Sequence, residues 1–202
     1  MRVKICGITR PEDALLAEAA GADAIGLIFA DSKRRVEHAA AAEIIAALGP
    51  FISVVGVFRN APIAVVIDTL TRLDIAVAQL HGDENADYAA AVSRHARVLR
   101  AVSYGQAPAP AALTGYPASA FLIDGSVPGS GSTYDWQQVA AWRGHPRLIL
   151  AGGLTPDNVA AAVAELRPYG VDTSSGVESS PGIKDAESVR RFVANAKGRQ
   201  GD

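Results

Sequence analysis

Short runs of apolar and β-branched residues recur along the chain, separated by longer Ala- and Leu-rich stretches of helical period. The runs are VKICGI (3–8), AIGLIFA (24–30), SVVGVF (53–58), AVAQLHG (76–82), RVLRAVS (97–103), AFLIDG (120–125), RLILAGG (147–153) and YGVDTS (169–174). Several are apolar almost without a break, the pattern of strands covered on both faces of a parallel sheet. The stretches between them include PEDALLAEAAGA, EHAAAAEIIAALG, APIAVVIDTLTRL and DAESVRRFVANAK, which read as helices. Helix ends carry local signals. Thr9 with Glu12 three residues on has the form of a capping box, and Thr155-Pro156 sets a cap before a proline in the first turn. Gly21 and Gly49 stand where helices should stop.

Eight strands alternating with helices form either a closed barrel or an open doubly wound sheet. Two features choose a single-domain α/β structure, the (β/α)8 TIM barrel. The strand count is eight, and 202 residues stand near the minimum of about 200 that the barrel needs. Polar and glycine residues also gather at the C-terminal strand ends: Cys6-Gly7, His81-Gly82, Asp124-Gly125, Gly152-Gly153 and Ser174-Ser175-Gly176. That rim is where active sites of this fold lie. Residues 1–202 then form one barrel domain. GQAPAPAALTGYPAS (105–119) reads as a short, weak fifth helix, because a linker there would split the strand series. The last residues, 197–202, read as a frayed tail.

Composition, 49% hydrophobic and 20% charged, is that of an ordinary globular chain and leaves this picture unchanged. Charge narrows the partners. The net value is only −2, with no basic stripe or Lys/Arg block, which argues against nucleic acid. One cysteine cannot make an internal disulfide, which fits a reducing compartment. Met1 runs into alternating Arg2, Val3, Lys4 and Ile5 with no signal-peptide core, and no apolar stretch is long enough to span a bilayer. The expected setting is the cytoplasm, away from membranes.

The candidate chemistry sits on the rim. Strand geometry puts Lys4 and Cys6 on one face and Val3 and Ile5 on the other, so Cys6 looks into the barrel mouth. In isolation a lone cysteine reads as a small buried apolar residue. At the rim, beside a glycine that lets substrate approach, it is also a candidate thiolate base. Asp124 closes an apolar run. It reads either as a turn residue or as a partly desolvated carboxyl suited to acid catalysis. Asp172 near the end of the eighth strand can pair with Lys4 inside the barrel or touch substrate. Gly152 and Gly153 after strand seven, with Ser174, Ser175 and Gly176 after strand eight, offer amides and hydroxyls where barrels bind phosphate. DSKRRV (31–36) is a solvated basic surface or a site for an acidic substrate. His81 is a satisfied rim residue or a polar contact. Four scattered histidines show no metal-ligand spacing, so no metal is expected. VPGSGSTYDW (127–136) reads as a mobile loop and a candidate lid.

KICGIT, VGVF, QLHGDE, a Gly-rich loop ending in YDW, LAGGLTPDNV and GVDTSSGVESSPGIKD occur in that order from residue 3 to about residue 185. Together they resemble the phosphoribosylanthranilate isomerase family, a (β/α)8 enzyme of tryptophan biosynthesis. The resemblance implies an Amadori rearrangement of N-(5-phosphoribosyl)anthranilate to 1-(2-carboxyphenylamino)-1-deoxyribulose 5-phosphate. It implies Cys6 as general base, Asp124 as general acid, and Asp172 as a second carboxylate holding substrate. Ser32-Lys33-Arg34 matches the family segment whose arginine binds the anthranilate carboxylate, which picks Arg34, with Arg35 as its neighbour and rival. Pro128-Gly129-Ser130-Gly131 departs from the usual Gly-Gly-Thr-Gly by a stiffer entry. No cofactor is called for, because the substrate nitrogen serves as electron sink. The expected partner is one phosphorylated small molecule, with the chain a monomer or homodimer. A related sugar-phosphate isomerase would place an aspartate on strand one, and a barrel that closes the indole ring would carry catalytic Lys and Glu. A non-catalytic phosphate-binding barrel would have no use for Asp124 facing a thiol.

Overall fold

Eight parallel strands close into a ring in sequence order in the computed structural model, which describes residues 1–103, 109–125 and 136–198. They are β1 (Arg2–Cys6), β2 (Ala24–Ile28), β3 (Ser53–Phe58), β4 (Val77–Leu80), β5 (Arg97–Ser103), β6 (Ala120–Asp124), β7 (Leu148–Ala151) and β8 (Gly170–Thr173). The ring shuts where β1 pairs with β8, Lys4 opposite Asp172. All eight apolar runs form strands. The extra residues the sequence pattern had given them, such as Gly7, His81, Gly82, Gly152 and Gly153, lie on the rim just past the strand ends.

The helices are α1 (Pro11–Ala19), α2 (His38–Ala47), α3 (Ile63–Arg72), α4 (Ala86–Val92), α5 (Val159–Leu166) and α6 (Ala186–Lys197). Two connections depart from this. After β5 the described residues form only a 3-10 turn, Pro110–Leu113, where the sequence predicts a short helix over 105–119. Prolines at 108, 110 and 117 remove the amides an α-helix needs, and residues 104–108 lie outside the described set. After β6 a 3-10 helix, Trp136–Trp142, buries Trp142 against Phe121 at 5.5 Å between ring centres. The candidate lid at 127–136 falls almost wholly outside the described residues. α6 runs through Lys197 to Gly198, so only 199–202 of the expected tail lie beyond description.

The expected caps are also revised. Arg10, not Thr9, precedes α1 and makes no side-chain cap; the Thr9 hydroxyl donates instead to the Gly182 carbonyl. Thr155 accepts from the Asp157 amide in a turn before α5, which starts only at Val159. Gly21 does stop α1, at φ +87°. Gly49 follows α2 with its amide held by the Glu18 carboxylate.

Period-two alternation divides the core into two layers. Val3 and Ile5 face outward, in the apolar layer between sheet and helices. Val55, Leu99, Ala101, Ala120, Leu122, Ile149 and Ala151 fill the barrel interior. Carried to the rim, the same inward parity aims Cys6, His81, Asp124 and Asp172 into the mouth. An unexpected hairpin follows β8: β9 (Glu178–Ser180) and β10 (Ile183–Lys184), joined through Pro181 and Gly182.

Candidate active site

A cleft of about 270 Å³ opens at the C-terminal ends of the strands. All ten candidate site residues line it: Cys6, Arg34, His81, Asp124, Gly152, Gly153, Asp172, Ser174, Ser175 and Gly176. A cleft of similar size, about 290 Å³, lies at the opposite end around Phe51 and Tyr169, but it holds no thiol, and its Arg2 and Asp23 are bound to each other. Chemistry therefore assigns the first cleft.

Cys6 is buried at its floor. Gly26 lies opposite on β2, where a Cβ would stand 2.6 Å from Sγ and 3.1 Å from Lys4 Cε, so only glycine leaves room for both side chains. Burial pushes the Cys6 thiol above the usual range, while the Lys4 cation pulls it partly back. Lys4 Nζ donates to Asp172 Oδ2 at 3.0 Å, both groups buried, which realises the pairing that the sequence left open. Burial opposes the Lys4 charge, but Asp172 and Cys6 outweigh it and the ammonium is held raised. Burial raises the Asp172 carboxyl against the pull of Lys4. Asp172 Oδ1 is buried and unpartnered among the described residues, an acceptor available to a ligand.

Asp124 ends β6, three strands from β1 around the ring. Its Oδ2 lies 3.2 Å from His81 Nε2. This gives His81 a partner that the sequence did not reveal, because the two residues meet only across the barrel mouth. On its other side, His81 Nδ1 is 3.0 Å from Nε2 of Gln79, a residue not among the candidates.

Arg34 enters the cleft and Arg35 does not; Arg35 is on the surface with Glu37. Arg34 forms a fork with Glu178 on β9, Nε to Oε1 and Nη2 to Oε2, both at 2.7 Å. Glu178 also accepts from Lys184 Nζ at 2.8 Å, and the Lys184 side chain is fully buried. Burial works against the Glu178 charge, yet Arg34 and Lys184 hold its carboxyl below the usual range. Glu178 and Lys184 were missed because their hairpin is too short and polar to show a strand period.

The loops after β7 and β8 lie side by side. Thr173 Oγ1 donates to the Leu154 carbonyl at 2.7 Å. Gly152 and Gly153 have φ of +80° and +62°. Among the described residues, none of the backbone amides of Gly152, Gly153, Ser174, Ser175 and Gly176 finds a hydrogen-bond partner, and Ser174 Oγ is buried without one. Unsatisfied donors converging on a cleft suit an anion with several acceptor oxygens. Among the described residues no cluster of three His, Cys, Asp or Glu side chains could hold a metal ion.

The site thus offers a buried thiol near a cation, a carboxyl bonded to an imidazole, an arginine, and an anion cradle. Comparison with known proteins gives this arrangement a context. The family model of N-(5′-phosphoribosyl)anthranilate (PRA) isomerase matches residues 3–195. An N-(5′-phosphoribosyl)anthranilate isomerase from Geobacter sulfurreducens is 50% identical, covering 98% of this chain and 99% of the relative. The crystal structure of phosphoribosyl anthranilate isomerase from Thermus thermophilus superposes with a TM-score of 0.89 at 46% identity, covering 99% of this chain and 100% of that one. A further solved isomerase, in complex with reduced 1-(o-carboxyphenylamino)-1-deoxyribulose 5-phosphate, gives 0.86 at 37% identity over 98% and 99% of the two chains.

Proposed function

The chain belongs to the N-(5′-phosphoribosyl)anthranilate isomerase family, and we propose that Cys6 and Asp124 are its proton acceptor and proton donor. The enzyme converts N-(5′-phosphoribosyl)anthranilate to 1-(2-carboxyphenylamino)-1-deoxyribulose 5-phosphate in tryptophan biosynthesis, an aldose-to-ketose rearrangement within one molecule.

Asp124 gives its proton to the furanose ring oxygen. The bond from that oxygen to carbon 1 breaks, and the anthranilate nitrogen supplies the electron pair that makes an iminium. The Cys6 thiolate then removes the proton on carbon 2, and the freed pair neutralises the iminium as an enolamine. Tautomerisation to the ketone adds a proton at carbon 1 and removes one from the carbon 2 hydroxyl. Atoms balance within the substrate, and the thiol and carboxylate reset by exchange with solvent. Burial disfavours the thiolate, but Lys4 beneath it and the cationic iminium above it both favour it at the step that needs it. Arg34 takes the anthranilate carboxylate, Asp172 holds the sugar end, His81 meets the substrate through Asp124, and the loops from Gly152-Gly153 and Ser174–Gly176 hold the phosphate. The reading places the enzyme in the cytoplasm, as a monomer or homodimer with no nucleic-acid partner. Among the described residues no helix is long and apolar enough to cross a membrane.

The observation that carries the assignment is the shared inward parity of Cys6 and Asp124 at one rim, with the cleft and the loop amides, unpaired among the described residues, between them. Its test is turnover of freshly generated substrate, followed by anthranilate fluorescence. Wild type should turn over, and Cys6→Ala and Asp124→Asn should each lose about 10²–10⁴ in kcat with the fold intact. Near-normal rates in either variant would remove that residue from its role.

A further inference from the structure

We infer that Gln79 is a positioning residue: its side-chain amide fixes the tautomer of His81, so that His81 presents an N–H to Asp124. The inference rests on the reading of Asp124 as proton donor.

Gln79 points into the barrel from β4 and is 1% exposed. Its register partners on the flanking strands are Val57 and Leu99. An apolar side chain of the same length would fill that space without burying an amide, so packing does not account for it. Its Nε2 lies 3.0 Å from His81 Nδ1, and His81 Nε2 lies 3.2 Å from Asp124 Oδ2. An amide nitrogen only donates, so Nδ1 must carry the lone pair and the ring proton must sit on Nε2, facing the carboxyl group.

The opposite amide orientation is disfavoured twice. It would aim the His81 Nε2 lone pair at the Asp124 carboxylate unless the ring took a second proton. It would also put an NH2 group where Gln79 Oε1 is now buried without a partner among the described residues, leaving both N–H groups unmet instead of one N–H and the more readily tolerated oxygen. A buried polar atom left unpaired for the sake of its other end is what a functional constraint looks like.

The consequence falls on the proton donor. Because Asp124 Oδ2 accepts from His81, the acidic proton of the protonated carboxyl sits on Oδ1. Once that proton has passed to substrate, the carboxylate is already met by the His81 N–H. Gln79 therefore acts through His81 on the chemical step and not on binding.

The test reads the imidazole directly. In substrate-free protein labelled with 15N-histidine, the His81 signals, assigned by their loss in His81→Asn, should show a neutral ring protonated at Nε2. Gln79→Met should mix the tautomers and lower kcat about tenfold or more with KM nearly unchanged. Gln79→Glu, whose carboxylate demands a proton on Nδ1, should give the imidazolium or the other tautomer. A wild-type ring protonated at Nδ1 overturns the inference even if no variant folds, and so does a Gln79→Met enzyme with unaltered tautomer and kcat. Full turnover by Asp124→Asn would instead overturn the proton-donor reading, with the wild-type tautomer still deciding the geometry.

Discussion

At the scale of single residues the balance at Cys6 decides the pH dependence. Burial, the larger influence, raises the thiol, and the Lys4 cation offsets only part of it. The thiolate is therefore scarce at neutral pH, and reactions that need it speed up as pH rises. Alkylation of substrate-free enzyme by iodoacetamide should follow one ascending limb with its midpoint above about 8.5, the ordinary thiol value. Lys4→Met removes the cation that pulls the Cys6 thiol partly back and should move that limb further alkaline. A midpoint below the ordinary value would show that burial does not dominate. The places of Cys6, Asp124 and Asp172 at the mouth were legible in the sequence, Cys6 from the two-residue period of its strand and the two aspartates from their position at the ends of apolar runs. The His81–Asp124 bond and the Gln79 contact were not, since no local pattern tells which rim residues meet across the mouth.

At the scale of elements, the proposed substrate recognition falls to the hairpin β9–β10 and the loops after β7 and β8. Glu178 grips Arg34 through both oxygens, leaving Nη1 as the guanidinium nitrogen not engaged with it. Glu178→Gln keeps the shape but loses the charge, so the arginine fork should wander. The expected result is a KM raised about tenfold with kcat within a few-fold, the signature of lost ground-state binding. An unchanged KM would mean that Arg34 needs no support. Gly176 is the tightest point of the loop pair: a Cβ there would lie 1.9 Å from the Leu154 carbonyl oxygen. Gly176→Ala must push the loops apart, which should cost about 1–3 kcal/mol of stability and weaken binding of inorganic phosphate. Equal stability in denaturant titration would show that the loops give way freely. That the glycines line the cleft was readable from their place after strands seven and eight. The hairpin was not, because two strands of three and two residues leave no periodic trace. Nor were the caps at Thr9 and Thr155, whose hydroxyls serve turns and a neighbouring loop instead.

At the scale of the molecule, eight apolar runs in order made the barrel readable, since each strand needs cover on both faces and only closure leaves no edge. What ties the two ends of the chain together is less visible. Asp23, between α1 and β2, accepts from Arg2 at 2.7 Å, from the Val3 amide at 2.9 Å and from Lys197 of α6 at 2.8 Å. Its own backbone joins Val3 and Ser53. One carboxylate thus ties the start of β1, the first strand, to the end of α6, the last helix, at the foot of β2. Burial raises its pKa, but Lys197, Arg2 and the Val3 amide together hold it below the usual range. A carboxylate depressed in the folded state adds stability above its unfolded pKa of about 3.9, and that stability is lost as pH falls through the folded value. Asp23→Asn should therefore be less stable at pH 7 by about 1–2 kcal/mol, on the order of the charge-assisted bonds of a part-exposed group. For a chain of this size that lowers Tm by roughly 3–6 °C. The gap should shrink as pH falls below about 4 and close once wild-type Asp23 is protonated. Thermal melts of both proteins from pH 7 to pH 2.5 check this, and a gap that stays constant with pH would show that Asp23 holds β1 and α6 together by shape and not by charge.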